Sequence, residues 1–329
     1  MLSMPRWPAL LLAALAGFAQ AERPWKPSRN VEVIVQSAAG SSSDRSARIT
    51  QNILESLPGF RSVSVNNKPG AGGMRSMYYL NQHAGSAHYI ATLSTSAITN
   101  HLLGLSPLNF RHFTPLSIVL HEYPVLVTRA DSPIASAREL MARLQADPSA
   151  VSFAYASVRG NHNHVLIGLM VRAAGGDPLQ AKAIVYNSGG EAIAAALGGK
   201  VDAGVVSPAQ VIPLLAAGKI RVLAVAAPQR QDNALAAAPT LREQGINVSH
   251  FSWRGFMGAK GLTPAQVAFW DRAFAQMTQT PEWKREIRRY AWTEALMSSA
   301  QTLRHLEHET DTLRKLLREL GVAAPGTRT

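Results

Sequence analysis

The residues best suited to chemistry lie in the segment AAGSSSD, residues 38–44, directly after the apolar run VEVIV at 31–35. The run predicts a buried strand, and the small residues after it predict a loop that opens a helix, with Ser43 or Asp44 as N-cap. Backbone N–H groups and hydroxyls at a helix N-terminus can donate hydrogen bonds to an anion. We therefore expect this loop to bind a carboxylate. The candidate residues are Ala39, Gly40, Ser41, Ser42, Ser43 and Asp44.

Three further predicted strands, at 89–93, 151–155 and 183–186, also end in loops of small and polar residues. In open parallel sheets, ligands lie outside the carboxyl ends of the strands, so we expect these loops to share a cleft with the first. Arg159 could pair with a second carboxylate or lie on a solvated rim. The further candidate ligand-binding residues are Ser94, Thr95, Ser96, Ser157, Arg159, Gly160, Asn161, His164, Tyr186, Ser188 and Gly189.

Other patterns give little support for catalysis. His162 and His164 lack the cysteines or acidic pair that would complete a zinc site, so we expect His164 to orient the loop or touch ligand and His162 to be solvated. The nucleophile motif G-x-S-x-G is absent from the sequence. The glycines at 70–73 and the GGK at 198–200 are incomplete forms of nucleotide-binding motifs. We therefore expect no catalytic residue, no metal and no cofactor.

The N-terminus and the composition predict export. Residues 1–21 have the pattern of a cleaved signal peptide: a basic start, a short apolar core and the cleavage site AQA at 19–21. The chain has 329 residues, enough for a large core, and it has no cysteine. An exported protein without cysteine fits the bacterial periplasm, because a large core makes disulfides unnecessary. The formal net charge of +12 favours anionic small molecules or an anionic membrane surface, whereas the scattered basic residues argue against nucleic acid.

Strand-like and helix-like segments alternate along most of the chain, which predicts an α/β fold with largely parallel sheets. The series restarts after residue 150, so we expect two lobes. From residue 263 onward the pattern is helical. The tryptophans Trp253, Trp270, Trp283 and Trp292 are interpreted as core and interlobe packing residues. The predicted chain crossings between the lobes, near 123–128 and 249–255, would form a hinge like that of a Venus flytrap.

Eight phrases in order resemble the periplasmic solute receptors of the tripartite tricarboxylate transporter family, the Bug receptors. They are AAGSSSD at 38–44, PGAGG at 69–73, DSPIAS at 131–136, RGNHNH at 159–164, GGEAIAAALGGKVDAGV at 189–205, AGKIRVLAV at 217–225, APTLREQGI at 238–246 and WRGFMGAKGLTPAQV at 253–267. The chain departs from the family pattern at Gln36 and Ser37, where Pro-Phe is frequent, at the serines 41–43, at Val158 and at Arg159.

The resemblance implies a two-lobed periplasmic binding protein of type II, with hinged lobes that each contain a mixed or parallel sheet flanked by helices. Lobe 1 is expected at 22–124 plus 250–329, and lobe 2 at 125–249. It also implies that a small carboxylate binds in the interlobe cleft and passes to the membrane subunits of a transporter. Donors on both sides of the cleft suit a di- or tricarboxylate, and monocarboxylates and aromatic acids stay open. We expect a monomer with no enzymatic activity. Two alternatives stay open: a sensor that presents ligand to a membrane kinase, and a periplasmic hydrolase.

Overall fold

The structure, a computed structural model, describes residues 24–156, 158–319 and 321. The predicted signal peptide at 1–21 and the candidate residue Ser157 lie outside these ranges. The strands are β1 (Val31–Val35), β2 (Val63–Asn67), β3 (Tyr89–Leu93), β4 (Thr114–Glu122), β5 (Val125–Arg129), β6 (Ser152–Ala156), β7 (Lys182–Tyr186), β8 (Ala203–Val206), β9 (Ile220–Val225), β10 (Ser252–Gly258) and β11 (Thr293–Met297).

Ten α-helices separate or follow these strands in the described residues. They are α1 (Ser42–Ser56), α2 (Met74–Asn81), α3 (Ser96–Leu102), α4 (Ala137–Ala146), α5 (His162–Ala173), α6 (Gly189–Leu197), α7 (Pro208–Ala216), α8 (Pro264–Gln279), α9 (Pro281–Arg289) and α10 (Ser299–Glu319). The alternation of strands and helices confirms the predicted α/β class.

The strands form two mixed sheets, in the orders β11-β4-β10-β3-β1-β2 and β7-β6-β8-β5-β9. β1 pairs in parallel with β2 and β3, and β6 pairs in parallel with β7 and β8. The pairs made by β4, β5, β10 and β11 are antiparallel. Both sheets are therefore mixed, as the expected mixed or parallel sheets allow, although they contain fewer parallel pairs than the alternation alone suggests. The reason is that the strands that enter and leave each sheet run against their neighbours.

Each sheet packs between helical layers. In the first sheet, one apolar cluster joins β1 to α1, α8 and α9 and contains the buried Trp270 and Trp283. A second cluster on this sheet contains Trp253 and residues of α10. Both clusters exclude water from the sheet, so each supplies the hydrophobic free energy that holds the flanking helices in place. The predicted packing role of these three tryptophans is confirmed.

The chain passes from the first sheet to the second through Tyr123 and Pro124, and returns between β9 and β10. The two crossings are linked by hydrogen bonds, because Ala226 N–H donates to the Pro124 carbonyl (2.9 Å) and His250 N–H donates to the Ala226 carbonyl (2.9 Å). The crossings therefore lie side by side. The C-terminal end of α10 also reaches the second sheet's helices, through the Arg172–Glu319 ion pair.

Candidate functional site

A cavity of about 470 Å³ opens where loops from both sheets face each other. These loops follow the carboxyl ends of β1, β2 and β3 in the first sheet and of β6, β7 and β8 in the second, the position at which ligands bind in such sheets. The lining residues are Gln36, Ser37, Ala38, Ser41, Ser42, Ser43, Pro69, Gly70, Ala71, Gly72, Gly73, Ser94, Thr95, Ser96, Glu122, Ala156, Val158, Asn161, His162, Asn163, Asn187, Gly189, Ser207, Gln210 and Arg254.

The N-terminus of α1 forms one side of the cavity. Its N-cap is Ser41, whose hydroxyl accepts from the Asp44 N–H (3.2 Å) and contacts the Ser37 hydroxyl (2.6 Å). The predicted N-cap at Ser43 or Asp44 is therefore wrong. The helix starts earlier because Ser41 has extended backbone angles and a side-chain oxygen placed over the first turn.

Asp44 does not line the cavity, and neither do Ala39 or Gly40. The buried carboxylate of Asp44 accepts hydrogen bonds from the Gly40 N–H (2.8 Å), from Asn67 Nδ2 (2.8 Å) and from Arg48 Nε (3.1 Å). Burial raises the pKa of Asp44, but these hydrogen bonds and the Arg48 charge outweigh burial and leave the pKa below its usual value. Asp44 thus fixes the shape of the loop from behind.

The loop after β3 brings Ser94, Thr95 and Ser96 to the cavity, as the sequence predicts. Gln36 ties this loop to the first one, because its Nε2 donates to Ser94 Oγ (2.5 Å) and its Oε1 accepts from Ser96 Oγ (3.1 Å). The Thr95 hydroxyl is buried and has no protein partner in the described part of the chain. Thr95 therefore brings to this loop a hydroxyl that makes no hydrogen bond within the described protein.

On the second sheet, Asn161 lines the cavity and caps α5, since its Oδ1 accepts from the N–H groups of Asn163 (3.1 Å) and His164 (3.0 Å). His164 does not line the cavity. Its Nδ1 accepts from the Gly160 N–H (2.9 Å), and its ring stacks on Tyr155 at 5.0 Å. Burial, and then the Arg159 charge, lower the pKa of His164 to about 4. Of the two roles expected for His164, this geometry agrees with orienting the loop, whereas its place off the cavity gives no support to contact with ligand.

Arg159 and His162, the two remaining titratable side chains near the start of α5, lie in different surroundings from each other. Arg159 is exposed and lies, with His164, on a separate pocket of about 40 Å³ instead of on the cavity. His162 was expected to be solvated, but its side chain lines the cavity. Burial, the Arg254 charge and His250 together lower the pKa of His162 well below its usual value. His162 is thus half-buried at the cavity instead of fully solvated, and its lowered pKa leaves the imidazole neutral near pH 7.

The loop after β7 places Gly189 on the cavity, together with Asn187, but Tyr186 and Ser188 do not line it. Ser188 caps α6, because its hydroxyl accepts from the Glu191 N–H (3.2 Å). A Cβ on Gly189 would lie 2.1 Å from Gln210 Nε2 of α7. Glycine at this position therefore allows the N-termini of α6 and α7 to approach each other at the cavity.

Sequence reasoning missed the charged pair in the cavity wall, Arg254 on β10 and Glu122 at the end of β4. Arg254 Nη2 donates to Glu122 Oε1 at 3.0 Å, and both residues are buried, at 7% and 1% exposure. Arg254 Nε has no protein partner among the described residues. The available signal was a single arginine inside the WRGF phrase of an apolar segment, where an unpaired charge is costly.

The electrostatics of the cavity favour an anion. Arg254 and Glu122 offset each other in charge, while α1, α5, α6 and α7 direct their N-terminal ends toward the cavity. A helix N-terminus carries free N–H groups and about half a positive charge. The described residues contain no group of three or more histidine, aspartate or glutamate side chains able to hold a metal ion. None of their helices is both long and apolar enough to span a bilayer.

Comparison with known proteins places these features in a family. The model of the tripartite tricarboxylate transporter family receptor matches residues 47–322. The protein BugT of Bordetella pertussis is 27% identical over 300 residues, which cover 90% of this chain and 90% of BugT.

Two solved structures share the fold. A protein of R. palustris with adipate has a TM-score of 0.79 at 21% identity, covering 90% of this chain and 99% of that one. MatC of Rhodopseudomonas palustris with bound malate has a TM-score of 0.76 at 19% identity, covering 88% and 99%. The family match spans most of the sequence and agrees with the motifs that predicted it. This chain therefore belongs to the receptors of the tripartite tricarboxylate transporter family.

Proposed function

We propose that this protein is an exported, non-catalytic receptor that captures a small organic di- or tricarboxylate between its two lobes. The observation that carries this proposal is the meeting of loops from the carboxyl ends of six strands, three from each sheet, around one cavity. A volume of about 470 Å³ suits a small organic acid. The adipate and malate bound to the two similar structures agree with this ligand class.

The donors of the cavity support carboxylate binding in particular. Thr95 Oγ1 on the first sheet's side and Arg254 Nε are buried donors without a described protein partner. Each hydrogen bond from such a donor to a carboxylate contributes roughly 1.5–3 kcal/mol to binding. The N-terminal N–H groups of α1 and α5 add donors from both sides of the cavity.

Non-catalytic binding agrees with how the serines are held. The Ser41 hydroxyl contacts Ser37 and the Ser42 hydroxyl donates to Glu122. No serine that lines the cavity is hydrogen-bonded to a histidine in the described ranges, so the nucleophile–base pair of a hydrolase has no support there. A receptor needs the ligand to leave unchanged, and a cavity wall that binds the ligand without such a pair serves that role.

Delivery follows from the two chain crossings. A ligand that contacts both lobes binds the closed form more tightly and shifts the population toward closure. The side-by-side crossings at Pro124 and Ala226 are placed to act as the hinge. We infer that the protein is exported to the periplasm with cleavage of the predicted signal peptide. There its closed form docks on the membrane subunits of a tripartite transporter.

A thermal-shift screen of organic acids tests the proposal. At 100 times its Kd, a ligand should stabilise the protein by about 2.7 kcal/mol, which is readily detected. Amines and neutral sugars of the same size serve as controls and should give no shift. A set of di- and tricarboxylates without effect at millimolar concentration, or turnover of their esters, would contradict the receptor function.

A further inference from the structure

Glu122 is a buried carboxylate in the cavity wall, and four groups donate hydrogen bonds to it. Oε2 accepts from Ser42 Oγ (2.5 Å), Ser207 Oγ (2.7 Å) and Trp292 Nε1 (3.0 Å), and Oε1 accepts from Arg254 Nη2 (3.0 Å). Ser42 lies at the start of α1 on the first sheet's side, whereas Ser207 lies between β8 and α7 on the second sheet's side. Glu122 thus joins both sides of the cavity.

This arrangement sets the direction of the two serine hydroxyls. A hydroxyl has one proton to donate, and a carboxylate has none. Since Ser42 and Ser207 both donate to Glu122, each has only oxygen lone pairs left for other partners. Both serines line the cavity. This part of the wall therefore accepts hydrogen bonds, although serine is usually counted as a donor toward an anion.

Asn163 adds an acceptor to the same cavity. It is 6% exposed and lines the cavity from α5, and its Oδ1 has no protein partner in the parts of the chain that the structure describes. The cavity therefore combines two kinds of group. Thr95, Arg254 and the helix N-termini donate, while Ser42, Ser207 and Asn163 accept.

We propose that Glu122 is a specificity-determining residue that selects carboxylates bearing a hydroxyl or ammonium group. This inference rests on the proposed carboxylate-binding function. The carboxylate contacts the donors, and the hydroxyl or ammonium donates to Ser42 or Ser207. An acid without such a group leaves buried acceptors unpaired, which is how sites built for a polar group reject analogues that lack it.

Matched acids test the proposal by isothermal titration calorimetry on the purified protein. The sets are succinate with malate and aspartate, glutarate with 2-hydroxyglutarate and glutamate, and tricarballylate with citrate. We expect the substituted member of the best-binding set to bind at least about tenfold more tightly than its parent acid, a difference of about 1.4 kcal/mol. Comparing the affinity for malate with that for aspartate, and the affinity for 2-hydroxyglutarate with that for glutamate, shows whether the site prefers a hydroxyl or an ammonium donor.

The outcomes distinguish the role of Glu122 from the receptor function. Binding of parent acids as tightly as their substituted partners overturns the role of Glu122 and leaves the receptor function intact. Failure of all these acids, and of every other organic acid in the thermal-shift screen, to bind contradicts both.

Variants assign the preference to Glu122. In Glu122→Gln the amide brings its own protons, so a serine hydroxyl can accept from it and turn its proton toward the cavity. The preference should then fall below about threefold. Because this buried change could prevent folding, Ser207→Ala is the second variant. It should lower the preference for the substituted acid at least about threefold, and thermal melting checks that the variant is folded.

Ser149→Ala is the control, since the Ser149 hydroxyl bonds to the exposed Asp147 and Ser149 does not line the cavity. This variant should keep the full preference. An unchanged preference in both Ser207→Ala and folded Glu122→Gln would overturn the proposal.

Discussion

At the level of single residues, the cavity depends on Arg254 and on what surrounds it. Its guanidinium is buried, pairs with Glu122 at 3.0 Å, and keeps Nε without a protein partner among the residues described. Removing one member of a buried pair usually costs about 3–5 kcal/mol, because the other charge is left uncompensated. Arg254 therefore contributes both to folding and to the donor set of the cavity, and a test must separate these contributions.

Arg254→Lys makes that separation. The ammonium can still pair with Glu122, but it lacks the planar fork and the Nε donor. We expect affinity for the acid found in the thermal-shift screen to fall at least about tenfold, the effect of losing one hydrogen bond to a charged group. Calorimetry gives the affinity, and thermal melting checks that the variant is folded.

Arg159→Met is the matched control, because Arg159 is an exposed arginine that lies outside the cavity. Its removal should change affinity less than twofold. If Arg159→Met weakens binding while Arg254→Lys does not, the second carboxylate pairs with Arg159 as first considered from the sequence, and Arg254 is only a structural residue.

At the level of elements, β10 holds Arg254 in place through close packing against β4. The pairing of these strands shifts register between Arg254 and Gly255, and a Cβ on Gly255 would lie 2.2 Å from the Ser117 carbonyl oxygen and 3.0 Å from Ile118 Cα. Those atoms belong to the backbone, which cannot move aside as a flexible side chain can. Glycine at 255 is thus required for the irregular pairing that directs Arg254 toward the cavity.

Gly255→Ala should therefore destabilise the protein by about 2 kcal/mol or more, as overpacking of a buried strand does. It should also weaken acid binding, because a shift of β10 displaces Arg254 from its position in the cavity wall. Urea denaturation measures the free energy of unfolding. Gly190→Ala is the control, since a Cβ there meets only Ser188 Oγ at 3.8 Å, and it should stay within about 0.5 kcal/mol of wild type. Equal stabilities of the two variants would contradict this account of β10.

Sequence periodicity predicted the regular βα units closely. The strands predicted at 31–35, 89–93, 151–155 and 183–186 agree within one residue with β1, β3, β6 and β7. The strands β4, β10 and β11 were not predicted. β10 contains two glycines in seven residues, and TEALM of β11 consists largely of helix-forming residues, so tertiary pairing overrides local preference in both.

The candidate site was predicted only where its residues follow strands that the sequence pattern reveals. Ser41, Ser42, Ser43, Ser94, Thr95, Ser96, Asn161 and Gly189 line the cavity as expected, because each follows a recognisable strand. Glu122 and Arg254 lie 132 residues apart and on strands that periodicity did not reveal. No local pattern could bring them together. The donor or acceptor role of Ser42 depends on that same pair, so it too was hidden in the sequence.

At the level of the whole molecule, buried histidines make stability depend on pH. Burial lowers the pKa of His250 to about 4, and burial together with His305 lowers that of His121 to about 4. His164 has a similarly lowered pKa of about 4. These rings are neutral in the folded protein but protonate near pH 6.5 when unfolded. Between pH 6.5 and 4 the unfolded state therefore binds more protons.

Stability should accordingly fall as pH decreases through this window, and it should be nearly constant above pH 7. At pH 5 we expect each of the three histidines to lower the free energy of unfolding by an amount of the order of 1 kcal/mol. Urea denaturation at pH 7.5, 6 and 5 checks the prediction. Equal stability at pH 7.5 and pH 5 would show that these rings can protonate in the folded protein without cost.

The central claim is that a small carboxylate is held between the two sheets by groups from both sides. Calorimetric titration of wild type, Thr95→Val and Asn163→Ala with the acid found in the screen tests it most directly. Thr95 and Asn163 lie on opposite sides of the cavity, and each has a buried polar atom without a described protein partner. Both variants remove a group that the folded protein does not need for its own hydrogen bonds. We predict one site per chain and a loss of at least about fivefold in affinity in each variant, with melting temperatures near wild type in the absence of acid. Wild-type affinity in both variants would contradict capture between the lobes.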